Sequence, residues 1–117
     1  MVVAGGWPVF EHIKFAPDEV SQMLGTGYLR FYSSAGVHGL AKVVGITELH
    51  ILAINSNRPG TGEFRKFLAL CKAECETLYI WEVWNEQLSE TLRRHGFEPC
   101  TAVERGETIN GMKWRRA

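Results

Sequence analysis

Apolar and polar residues alternate with a period of two over several short stretches and with a helical period over two longer ones, which predicts strands interleaved with helices. Val9 to Phe15 reads as a first strand. Pro17, Asp18 and Glu19 read as the first turn of a helix with Val20, Met23 and Leu24 at helical spacing, stopped by Gly25-Thr26-Gly27. Tyr28 to Tyr32 alternates and is rich in aromatics; after a loop from Ser33 to Gly39, Leu40 to Val44 completes a hairpin. The next strand, Ile46 to Asn55, places Glu48, His50, Leu52 and Ile54 on one face and Leu49, Ile51 and Ala53 on the other.

From Glu63 to Cys75 the residues Phe64, Phe67, Leu68, Cys71 and Cys75 recur at helical intervals, forming a stripe to bury, while Arg65, Lys66 and Lys72 fall elsewhere. Tyr79 to Trp84 is a compact β-type run. Asn85 is placed to cap a helix from Glu86 to Arg94 that ends at Gly96, and Phe97 to Val103 with Ile109 to Arg115 forms a closing antiparallel pair. A strand, crossover helix and strand between Leu49 and Trp84 requires those two strands to run parallel. The flanking hairpins make the rest antiparallel.

Composition narrows the functional classes. The 117 residues show no repeat, low-complexity tract or linker, so a single domain over residues 1–117 is expected, large enough to bury a core. Thirteen basic and thirteen acidic residues cancel, which argues against nucleic acid or an anionic membrane as the partner; any charged ligand is met locally. No apolar run approaches the ~20 residues that cross a bilayer, and Met1 to Phe10 lacks the marks of a signal peptide, so a cytoplasmic protein is expected. Cys71 and Cys75 sit on the apolar stripe, which favours core packing over a metal site, and Cys100 has no evident base beside it. The tail Lys113-Trp114-Arg115-Arg116 reads as a solvated edge strand.

The stretch with chemical content is Ser56-Asn57-Arg58-Pro59-Gly60-Thr61-Gly62, between a strand and a helix. A glycine-rich turn of this kind aims backbone N–H groups and the positive end of the helix dipole at one spot, which suits a phosphate. The same glycines serve equally as a plain turn. A dinucleotide fingerprint, with Glu82 at a suitable distance, is opposed by Arg65 in place of the third glycine and by the hairpin ahead.

Glu48-Leu49-His50-Ile51-Leu52-Ala53-Ile54, then Gly60-Thr61-Gly62, then Asn85-Glu86-Gln87-Leu88-Ser89-Glu90-Thr91-Leu92-Arg93-Arg94-His95-Gly96-Phe97 together resemble motifs of the GNAT superfamily of N-acetyltransferases. The resemblance covers Thr47 to Phe97 in motif and the rest in element order. It implies a mixed, mostly antiparallel twisted sheet with a splayed parallel central pair and helices on both faces. It also implies acetyl-CoA as co-substrate, with no metal, and an amine acceptor on a protein, peptide or small molecule. Backbone at Leu52, Ala53 and Ile54 would hold pantetheine; Asn57, Arg58, Gly60, Thr61 and Gly62 would hold the phosphates; Asn85 would brace the far wall. Glu48 would take the acceptor's proton, with His50 as substitute base.

Three residues or regions depart from the pattern. Leu92 stands where the family often places a tyrosine that protonates the leaving thiolate, and Asn57 where it prefers Gln or Arg. Little chain precedes Glu48 to wall the acceptor site, which implies a cleft left open or completed by another subunit or a partner. These departures define the alternative: a GNAT-like module without catalysis, serving binding or assembly, as in a phage particle.

Overall fold

The computed structural model describes residues 2–4, 7–16, 27–45, 47–58, 60–83 and 85–117. A hairpin of β1 (Val2–Ala4) and β2 (Trp7–Val9) precedes the main sheet. Next come β3 (Ile13–Ala16), β4 (Leu29–Ser33), β5 (Val37–Val44) and β6 (Glu48–Ser56). Helix α1 (Glu63–Glu74), strand β7 (Thr77–Trp81), helix α2 (Glu86–Arg94), β8 (Glu98–Glu104) and β9 (Glu107–Arg115) complete the chain. Seven strands form one sheet in the order β3-β4-β5-β6-β7-β9-β8, antiparallel throughout except for the parallel pair β6–β7. This is the mixed, mostly antiparallel architecture that the motifs imply.

The helices form where the pattern places them. Asn85 accepts the amides of Gln87 and Leu88 on its side-chain oxygen, so α2 starts on a true N-cap. Helix α1 buries Phe67, Leu68 and Cys71 and ends when Cys75 turns extended, one residue earlier than the periodicity predicts. Phe67 stacks on Phe31 of β4, and Ser89 of α2 touches Met112 of β9. Cross-strand register puts Phe31, Ala41, Ile51, Ile80 and Met112 on the same side of the sheet. Both described helices therefore cover one face, side by side, with Lys72 of α1 donating to the carbonyl of His95. The helix expected from Pro17 to Leu24 lies outside the described residues.

Several expectations change in detail. The run from Val9 to Phe15 is broken at Phe10 to His12, where Phe10 is buried and the Glu11 amide turns to donate to Glu74 Oε1 at 2.6 Å. The β4–β5 loop is shorter than Ser33 to Gly39, because Ser33 Oγ exchanges hydrogen bonds with Val37 and Gly36 takes φ 85°. Strand β7 starts at Thr77 and stops at Trp81, with Glu82 in the left-handed region at φ 56°; Trp84 lies outside the described residues. The basic tail is no edge strand, for β9 lies between β7 and β8, and Arg116 donates to the carbonyls of Lys72 and Ala73 at the end of α1.

The largest correction concerns β6. Ala41 faces Ile51 but Leu40 faces Ala53, so Leu52 is an extra residue, a β-bulge. Alternation inverts after it. Ile54, in register with Gly39, turns to the helix-covered core, and Ala53, in register with Leu40, joins the face of Glu48 and His50. Gly39 is what lets the bulge sit there, since a Cβ on it would lie 1.8 Å from the Ala53 carbonyl oxygen. Gly39→Ala is expected to cost about 3 kcal/mol of stability by overpacking against backbone that cannot yield, measured by urea unfolding; Gly39 has no positive φ, so the clash alone accounts for the loss.

Candidate functional site

The parallel pair is closed at one end and open at the other. At its start, the Thr47 carbonyl accepts the amides of Glu76 at 2.9 Å and Thr77 at 3.3 Å, fastening β7 beside β6. Pairing then runs from Glu48↔Thr77 to Ile51↔Ile80 and stops, while β6 continues to Ser56. β7 instead follows β9: Trp81 pairs with Gly111, and the Glu82 amide donates to Asn110 at 2.7 Å. From the Leu52 bulge onward, no strand among the described residues lies on the β7 side of β6. Leu52, Ala53 and Ile54 thus fall on the opened edge.

At the end of β6 the chain enters the glycine-rich turn. Glu63, the first residue of α1, accepts the Ser56 hydroxyl at 2.8 Å and the Arg58 amide on one oxygen, and Thr61 closes the turn on the Arg58 carbonyl through both its hydroxyl and its amide. Gly60 and Gly62 both take φ 84°, with open space where a Cβ would stand. No side chain caps α1, and the first amide returning into the turn is that of Lys66, to Gly62. The amides of the first turn therefore keep their donor capacity.

Those amides look into an open groove of about 880 Å³ between the helices, lined by Ser56, Gly60, Gly62 and Glu63 on one side and by Asn85, Leu88 and Arg94 among others on the far wall. Gly60, Gly62 and Asn85, predicted from sequence, converge here. Asn57 does not: it lines a separate cavity of about 430 Å³ with Arg30, Tyr32 and His38. Arg58 and Thr61 shape the turn rather than line the groove. Arg65, Arg94 and His95 line it without having been anticipated. Burial first, and then the charges of Lys72, Arg65 and Arg94, lower the pKa of the His95 imidazole from its ordinary value.

On the sheet face that neither described helix covers, β6 and β7 set a second group. His50 Nε2 lies 2.6 Å from Glu48 Oε2, and the Trp81 indole N–H donates to His50 Nδ1 at 2.9 Å. The imidazole stacks on Tyr79 at 4.4 Å, Tyr79 on Trp81 at 5.4 Å, and the Lys113 ammonium sits over the Tyr79 ring at 5.3 Å. The cause is register: His50 pairs with Tyr79 and Tyr79 with Lys113, so all lie on one face, with Trp81 two residues on. The sequence shows Trp81 only as part of the β-type run from Tyr79; its link to His50 becomes visible once the strands are paired. Among the described residues no cluster of three metal-ligating side chains occurs. Burial holds the Cys71 thiol well above its usual range and pushes Cys75 up to about 12, so both stay protonated at neutral pH.

No family model matches the chain, and no curated protein is found to be similar to it. Among solved structures, the fold is similar to that of a Bacillus subtilis acetyltransferase in complex with CoA, with a TM-score of 0.52 and 10% identity, over 91% of this chain and 99% of that one. The chain shares the fold of that structure, a mixed and mostly antiparallel sheet with one parallel strand pair.

The burial of His95 and the cations around it have a measurable signature. His95 is expected to titrate below the ordinary imidazole value, and Arg65→Gln or Arg94→Gln to move it back up, in an NMR pH titration. A folded-state pKa below the unfolded one means that stability rises with pH across the interval between them.

Proposed function

We propose that this chain is an acetyl-CoA-dependent N-acetyltransferase acting on an amine, with CoA lying along the α1–α2 groove. The observation that carries the reading is the convergence of two openings. The edge of β6 freed at the Leu52 bulge leads into the groove at which the uncapped first turn of α1 aims its amides. A diphosphate suits that turn, because Gly60 and Gly62 leave open space above the backbone and Arg65 and Arg94 stand beside it. The pantetheine amides then pair with β6 backbone from Leu52 to Ile54 as an added strand would. That the similar Bacillus subtilis acetyltransferase is a complex with CoA supports CoA as the ligand.

In the reaction, the acceptor nitrogen attacks the thioester carbonyl, the C–S bond breaks with its electron pair going to sulfur, and the nitrogen loses one proton. Glu48 takes that proton from the uncovered face. A backbone amide at the bulge polarises the carbonyl. The products are the acetamide and CoA, whose thiolate is protonated from solvent; a thiol of pKa ~8.5 leaves without a dedicated acid. The acceptor is a protein, peptide or small amine, and another subunit or a partner completes its cleft; the compartment proposed is the cytoplasm.

One observation favours a second reading, a GNAT-like binding or structural module without turnover, in a virion or other assembly. Leu92 stands at the position of the family's tyrosine and is 0% exposed, so nothing at that position reaches the groove. Calorimetry with CoA and acetyl-CoA separates the two: ligand at a hundred times its Kd is expected to stabilise the fold by about 2.7 kcal/mol, and an absence of binding to either compound excludes the enzymatic reading. Gly60→Val is expected to weaken CoA by steric exclusion, and unaltered affinity would remove the loop from the phosphate site. Glu48→Gln is expected to lower turnover by roughly 100-fold or more with CoA affinity unchanged.

A further inference from the structure

The structure assigns Trp81 and His50 a positioning role: the indole fixes the imidazole in one tautomer, and the imidazole holds the Glu48 carboxylate in the orientation that receives the acceptor's proton. This rests on the reading of Glu48 given above.

An indole N–H only donates, so His50 Nδ1, 2.9 Å from it, must present a lone pair. The ring proton then sits on Nε2, 2.6 Å from Glu48 Oε2, and donates to the carboxylate. Turning the ring over would put carbon atoms against both partners, so this orientation alone makes both bonds.

In this arrangement His50 has no lone pair to offer a substrate amine. It is not a second base. The stack fixes the ring plane as well: His50 is tilted 10° from Tyr79 and 17° from Trp81. Glu48 is the more open member, at 33% side-chain exposure against 14% for His50, so the carboxylate is the end of the chain that a substrate reaches. Held through Oε2, it keeps Oε1 for the incoming N–H. Lys42, in register with His50 on β5, and Lys113 over Tyr79 are the flanking cations.

The test uses the full chain labelled with ¹⁵N on histidine. In the native protein His50 is expected to show a pyridine-type Nδ1 and a pyrrole-type Nε2; a proton on Nδ1 overturns the proposal. Trp81→Phe keeps the ring and removes the N–H. It is expected to give a mixture of tautomers and to lower kcat between roughly 10- and 100-fold with the KM for acetyl-CoA unchanged. A tautomer shift with kcat untouched overturns the positioning role. As an independent arm, His50→Gln, whose carboxamide offers Glu48 an N–H at similar reach, is expected to retain turnover that His50→Ala loses; equal loss in both overturns it. Undiminished turnover in Glu48→Gln, with the nitrogen signature intact, removes the base reading itself and is distinguishable from failure of the tautomer lock.

Discussion

The path of β7 after Ile80 governs the rest of the molecule. Four paired positions hold it parallel to β6, and then it leaves along β9, with the Glu82 amide bonded to Asn110 and the Glu82 backbone in a left-handed conformation. A non-glycine residue with that backbone costs of order 1–2 kcal/mol, which the surrounding pairing offsets. Gly111 makes the exit feasible: a Cβ there would stand 2.6 Å from the Trp81 ring and 2.8 Å from the Ile80 carbonyl oxygen. The sheet opens because its central strand is drawn to one neighbour and away from the other.

Opposite this divergence, the Leu52 bulge performs a second task on the same residues. By inserting one position it reverses the facing of β6, so Leu49 and Ile51 before it and Ile54 after it all point into the helix-covered core. Without the extra residue Ile54 would face outward and Ala53 inward. The bulge thus seals the core beneath the opening while leaving Ala53 and His50 on the face that neither described helix covers. Structural and chemical requirements meet on one irregularity.

Much of this was legible in the sequence, and the remainder was not, for reasons that particular residues show. The α2 boundaries follow from Asn85 and Gly96 because capping is local chemistry. The start of α1 at Glu63 and the parallel β6–β7 pair follow from the glycine turn and the crossover. The bulge was invisible, since nothing in the run from Leu49 to Ile54 marks which residue lacks a partner; that is decided by Gly39 on another strand. Asn57 was assigned to the phosphate site by its position in the motif, yet the turn sends it to the opposite cavity. Trp81 needed the register of three strands before its indole could be placed on His50.

The Glu63 carboxylate, which joins Ser56 and the Arg58 amide, also lies where a side chain on Gly36 would stand, 1.7 Å from its ideal Cβ. Gly36 in turn accepts the Asn57 amide on its carbonyl at 2.9 Å. One acidic group therefore knots together a hairpin tip, the strand's exit and the helix's entrance. A guest that drew the turn toward itself would pull through Asn57 on the tip of the β4–β5 hairpin as well.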